Sequence, residues 1–98
     1  MSFQEKVWEL LEKIPEGKVT TYKIIAEKLG TKAYRAVGNA CHNNPHTPKA
    51  ACHRVVNSNG RIGEFRSGLG KKVKLLEKEG IKVENGKIQN FEKVLFQF

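Results

Sequence analysis

Long apolar runs are missing from this sequence. No stretch approaches the roughly 20 consecutive apolar residues that cross a bilayer, so no membrane partner is expected. The first residues, Met1-Ser2-Phe3-Gln4-Glu5-Lys6, lack the basic-then-apolar layout of a secretory signal, and an intracellular location is the expectation. Cysteine is scarce: two in 98 residues are too few for a disulfide scaffold. Repeats, low-complexity segments and interdomain linkers are also missing, so residues 1–98 are read as a single domain. Acidic side chains are outnumbered, with 10 Asp+Glu against 18 Lys+Arg, a formal net charge of +8 and a pI near 9.7. A balance that basic on a small domain points to a polyanion, usually nucleic acid. Fourteen of the eighteen cations are lysines, which a lysine-rich soluble surface also supplies, so charge alone does not choose.

The apolar residues that are present, 39% of the chain, suffice for one core. Ser2 with Glu5 forms a capping-box pattern that opens an apolar series at Phe3, Val7, Leu10, Leu11 and Ile14, with Trp8 flanking it. That spacing predicts a helix ended by Pro15-Glu16-Gly17. Val19-Thr20 is a short extended piece. Thr21 can cap a second helix running to Leu29 and closed by Gly30. Thr31 is expected to cap a third, from about Lys32 to Asn43. Two short helices across a glycine-containing turn make a helix-turn-helix. The third helix is built mostly from small residues, so its backbone could approach another surface closely. Further on, Asn57-Ser58-Asn59-Gly60 between Val55-Val56 and Ile62 reads as a hairpin turn, and Asn85-Gly86 as a second. Between them a basic amphipathic helix carries Leu69, Val73, Leu75 and Leu76. Phe91, Val94, Leu95, Phe96 and Phe98 are expected to pack back on the core. The fold class is therefore mainly α with small β hairpins, a winged helix-turn-helix-like single domain.

The chemistry concentrates where a proline-punctuated loop runs into Cys52-His53-Arg54. Cationic neighbours favour the thiolate, the reactive form of cysteine. At a free pKa near ~8.5 only a small fraction of a thiol is ionised at neutral pH. His53 can take the proton, and a carboxylate can hold the imidazole in the right tautomer. On spacing, Glu79, Glu64 and Glu77 are all candidates for that carboxylate. Cys41, His42, His46, Cys52 and His53 also invite a metal reading. His42-x3-His46 fits zinc spacing, but the cysteines stand eleven positions apart with no Cys-x-x-Cys; no metal and no cofactor are expected.

These residues carry a resemblance. Ala51-Cys52-His53-Arg54-Val55 resembles the Pro-Cys-His-Arg-Val motif of the O6-alkylguanine-DNA alkyltransferases, and Arg35-Ala36-Val37-Gly38 their Arg-Ala-Val-Gly recognition helix. Asn44-Pro45, Gly60 through Gly63, Leu75-Leu76 and Glu79-Gly80 follow the same spacing over essentially the whole chain. The resemblance is to the DNA-binding, cysteine-bearing domain, without the N-terminal domain common in the family. It implies DNA repair by base flipping and irreversible alkyl transfer to Cys52, once per molecule. His53 would be the base, Glu79 its orienting partner, Asn44 the shaper of the active-site turn, and Tyr22 a donor to the leaving guanine. Arg35 would enter the helix stack. Ala36, Ala40, Asn39 and Thr21 would approach the minor groove, with Ser58 and Asn57 against phosphate at the wing. Cys41, Ile62, Gly63, Phe65 and Arg66 would line the pocket. The implied partner is duplex DNA carrying O6-alkylguanine, met by a monomer.

Departures from the pattern are local. Ala51 replaces the motif proline, which loosens the turn presenting the thiol. Phe65 stands where tyrosine is frequent, and Arg66-Ser67 where smaller residues are common; Arg66 is expected to reach the lesion's oxygen edge or a phosphate. The alternative function is that of the alkyltransferase-like proteins, of about this length, which bind the lesion without transfer and recruit excision repair. They carry tryptophan or alanine at the acceptor position, where this chain has Cys52. A helix-turn-helix regulator that merely binds operator DNA would leave the Cys-His-Glu set idle.

Overall fold

The computed structural model describes residues 2–43, 52–62 and 69–98, with the side chains of 52 and 69–71 left aside. Helix α1 (Phe3–Leu11) opens on the expected capping box: Glu5 N–H donates to Ser2 Oγ at 3.1 Å, and Ser2 N–H to Glu5 Oε1 at 3.1 Å. Two donors that a helix start leaves orphaned are thereby satisfied. The helix stops at Leu11, earlier than the apolar series suggests, and Ile14 reaches the core from the turn beyond it. Strand β1 (Thr20–Thr21) runs straight into α2 (Tyr22–Lys28), where Thr21 Oγ1 accepts from Ile24 N–H at 3.0 Å as the sequence predicts.

Helix α3 (Tyr34–His42) starts later than expected. Thr31 does not cap it: its hydroxyl accepts from Ala33 N–H, two residues on, which makes a local turn instead of a cap. Helices α2 and α3 form the helix-turn-helix, and α3 also packs along α1, pinned there by Trp8 Nε1 donating to the Ala40 carbonyl at 2.8 Å.

A 3-10 turn (Cys52–Arg54) leads into β2 (Val55–Val56), which pairs in parallel with β1, Thr20 opposite Val55 and Thr21 opposite Val56. This corrects the hairpin expectation at Val55-Val56. The turn at 57–60 does form, with Asn57 N–H bonded to the Arg61 carbonyl, but β2 finds its strand partner in β1, and Arg61 bridges Lys87. After α4 (Leu69–Lys78), β3 (Val83–Glu84) and β4 (Lys87–Ile88) make the predicted antiparallel hairpin. Asn85 and Gly86 both take positive φ, 52° and 74°, the pair of left-handed residues a tight hairpin turn demands. A short α5 (Phe91–Val94) precedes a tail that bridges Val19 through Leu95.

The domain is mainly helical with small sheets, and the buried residues among those described fall into two clusters. One gathers Val7, Leu10, Leu11, Ile14, Ile25, Val37, Cys41 and Val55 from the three N-terminal helices, the turn after α1 and β2, with Phe96 and Phe98 packed against it. The other gathers Val19, Val56, Ile62, Leu76, Ile81 and Ile88. Successive strand residues point to opposite faces, so Val55 and Val56 serve one cluster each. No helix among the described residues is long and apolar enough to cross a membrane.

Candidate functional site

Glu79, the residue just past α4, is where three distant stretches of chain meet. Its side chain is only 8% exposed, and a buried carboxylate needs donors. It has four. His53 Nε2 lies 2.8 Å from Oε2. Arg54 donates through Nε to Oε1 at 2.9 Å and through Nη2 to Oε2 at 2.6 Å. Gly17 N–H reaches Oε1 at 3.3 Å, from a left-handed conformation, φ 84°, that suits glycine. Arg54 spends a further nitrogen on the loop after α1, Nη1 donating to the Ile14 carbonyl at 2.7 Å. Burial alone would raise the Glu79 carboxyl, but the hydrogen bonds from Arg54, His53 and Gly17 outweigh it and hold the group below its ordinary 4.5.

An ionised carboxylate only accepts, so the proton of a neutral His53 sits on Nε2 and its Nδ1 is left as the acceptor. Nδ1 is buried and has no hydrogen-bond partner among the described residues. Burial pushes His53 below its ordinary 6.5. Glu79 opposes that, and the nearby cations Arg54 and Lys72 reinforce it. The imidazole is therefore neutral at pH 7 and able to accept a proton. Chemically, this is a base held by a carboxylate, on the residue directly after Cys52.

Of the three candidate carboxylates, Glu79 is the one joined to His53. Glu77 is exposed on α4, and Glu64 lies outside the described residues. Arg54 plays a part different from the one the sequence suggests: its guanidinium is committed to Glu79 and Ile14, so it clamps the carboxylate rather than waiting as a loose counter-charge for a thiolate. Lys72 was also illegible. It is fully buried on α4, at a position that reads as one more basic residue of an amphipathic helix, yet its Nζ donates to the Val55 carbonyl at 2.7 Å. Only the i, i+4 relation of Lys72 to the buried Leu76 signals that it faces inward.

The remaining expected residues divide by exposure. Arg35 and Asn39 are exposed on α3, Ala36 is half-buried beside them, and Asn57 and Ser58 are exposed at the turn after β2. Two residues expected to face DNA are instead buried. Ala40 is 0% exposed because α3 turns it towards α1, and Thr21 is 3% exposed with its hydroxyl spent on the α2 cap. Tyr22 opens α2 half-buried, packed against the first core cluster. Cys41 and Ile62, expected in the pocket, are buried in different clusters. Asn44, Gly63, Phe65 and Arg66 lie outside the described residues, as does the side chain of Cys52, whose backbone opens the 3-10 turn.

Comparison with known proteins bears on this geometry. Residues 2–81 match the family model described as 6-O-methylguanine DNA methyltransferase, DNA binding domain. A methylated-DNA–protein-cysteine methyltransferase of Candida glabrata is 45% identical over 87 residues, 88% of this chain and 42% of that protein. Among solved structures, Mycobacterium tuberculosis OGT in complex with DNA superposes with a TM-score of 0.78 at 39% identity, covering 81% of this chain and 50% of that one. The S. pombe protein Atl1, in complex with damaged DNA containing O6-carboxymethylguanine, superposes at 0.81 with 32% identity over 98% of this chain and 95% of that one. The chain thus spans about half the length of the curated relatives it matches.

Proposed function

The chain belongs to the 6-O-methylguanine DNA methyltransferase family, and from that premise we propose that it repairs DNA by drawing an alkyl group from O6 of guanine onto Cys52. The observation that carries this reading is the His53–Glu79 pair, which leaves His53 Nδ1 as a neutral acceptor on the residue after the cysteine. His53 takes the thiol proton, directly or through one water. The thiolate sulfur then attacks the alkyl carbon, the carbon–O6 bond breaks, and its electron pair stays with the purine. Tyr22 donates a proton to the departing base, which leaves as neutral guanine. The thioether formed does not return its carbon under these conditions, so each molecule acts once.

In the same reading the lesion is extruded from the duplex, since an atom inside the base stack is out of a side chain's reach. Arg35 occupies the space left behind. Asn39 and the half-buried Ala36 follow the minor groove, and Ser58 and Asn57 meet phosphate. Gly38 supports close approach by α3: a Cβ built there meets nothing within 4 Å among the described residues, whose packing gives no reason for glycine in mid-helix. The net charge of +8 suits the polyanion.

Binding without transfer is the second reading, favoured by the near-complete mutual coverage with Atl1. Cys52 argues for transfer. Intact-protein mass spectrometry after incubation with a duplex holding O6-methylguanine separates the two. Transfer puts one methyl on the wild-type chain and none on Cys52→Ser. Tight lesion binding with no adduct leaves the second reading standing alone.

A further inference from the structure

Tyr34 is the one large hydrophobic side chain among the described residues that is classed as exposed, at 42%. It is the first residue of α3 and the immediate neighbour of Arg35. Its own line on the helix continues through Val37 and Cys41, both buried against α1 and α2. Tyr34 thus sits where α3 runs out beyond the core, one turn past the last buried contact. The first turn of α3 carries no acidic residue, and Lys32 and Arg35 on either side of Tyr34 are exposed. An exposed aromatic ring with exposed cations close by in sequence is matched to a polyanion that also offers flat apolar faces, which is the description of an opened nucleic-acid duplex.

We propose that Tyr34 is a second wedge, stacking on the base that flanks the gap filled by Arg35 and so holding the extruded state open. The inference rests on the reading that α3 enters the minor groove with Arg35 in the stack. Wedges of this kind unstack a base step and are repaid by the surface the opened duplex offers. A guanidinium and an aromatic from one helical turn divide that labour: Arg35 replaces the lost base, and Tyr34 caps its neighbour. The ring supplies the interaction and the hydroxyl is dispensable, so phenylalanine should substitute and alanine should not.

The test measures binding of wild type, Tyr34→Ala, Tyr34→Phe and Arg35→Ala to a duplex with O6-methylguanine and 2-aminopurine as the base opposite it. Fluorescence anisotropy gives affinity and 2-aminopurine emission gives unstacking; thermal midpoints establish that each variant is folded. Tyr34→Ala should bind roughly ten-fold more weakly, the loss of about one base–aromatic stack, with a reduced emission change. Tyr34→Phe should stay close to wild type in both. If Arg35→Ala loses affinity and emission while Tyr34→Ala matches wild type, the wedge is overturned and the functional reading survives. If Tyr34→Phe falls as far as Tyr34→Ala, the ring is not the contact and the proposal also fails. If wild type raises no 2-aminopurine emission, the base-flipping reading goes, and the wedge with it.

Discussion

Replacing Glu79 by glutamine changes one oxygen to an NH2 group and removes a charge, with almost no change in shape. The native carboxylate accepts from His53 Nε2, from two nitrogens of Arg54 and from Gly17 N–H. An amide has a single acceptor oxygen, so at least one of these donors must face the NH2 group. Hydrogen bonds to a charged group contribute about 1.5–3 kcal/mol each, and stranding one buried member of an ion pair costs about 3–5 kcal/mol. Arg54 retains its bond to Ile14 and its side chain is 16% exposed, so part of that penalty is relieved by water. A net loss of about 2–3 kcal/mol results, which for a domain of this size lowers the thermal midpoint by roughly 10–20 °C. The chemistry should suffer separately. Without the carboxylate charge the imidazolium is no longer stabilised, and one amide oxygen cannot serve both Arg54 and His53 Nε2; general-base assistance is worth about 10²–10⁴ in rate. Single-turnover transfer to Cys52, followed by mass spectrometry well below the variant's midpoint, should slow at least about 100-fold, while lesion affinity is retained. A variant that melts with wild type and transfers at the wild-type rate would refute both halves. A lower midpoint with an unchanged rate would leave the clamp and remove the orienting role.

Acid should destabilise the fold in two stages. His53 and Glu79 both titrate lower in the folded state, so the unfolded chain binds more protons and stability falls as pH drops, first below 6.5 and again below 4.5; urea midpoints from pH 8 to 4 should show both, and flat midpoints across pH 6 would contradict a buried neutral His53. For Thr20→Val, a buried hydroxyl with no partner among the described residues is exchanged for a methyl, and stability should rise by up to about 1 kcal/mol; destabilisation would reveal a bond to that oxygen. Gly38→Ala should stabilise α3 by about 1 kcal/mol, whereas Gly38→Leu should weaken lesion-duplex binding without lowering the thermal midpoint, since a Cβ there meets nothing within 4 Å among the described residues.

What the sequence shows well is whatever depends on neighbours in the chain. The Ser2–Glu5 box, the Thr21 cap and the Asn85-Gly86 turn each form through contacts within three or four residues, and each stands where the residue types put it. The β1–β2 ladder escapes because two residues are too few to show a period, and its halves lie thirty-five positions apart. The sequence shows the small face of α3 but not its rotation: Ala36 and Ala40 have the same size, and the packing of α3 along α1 decides that Ala40 faces inward. At the site, the joining of His53 to Glu79 came from the family resemblance; spacing left three acids open. The Arg54 clamp, the Ile14 carbonyl and the Gly17 amide had no local signature at all. They are long-range hydrogen bonds, one between side chains and two that use a backbone group, made by residues whose side chains announce nothing or something else.

Val55 and Val56 are consecutive, yet each is completed by a different cluster. One peptide unit is therefore common property of both halves of the interior. Neither half can be cut away as a self-sufficient folding unit, because the strand that seals one also seals the other, and it hangs directly on the Cys52–Arg54 turn. Among the described residues the two clusters meet at a shared seam, and unfolding should proceed as a single cooperative event rather than as the peeling of one cluster from its neighbour.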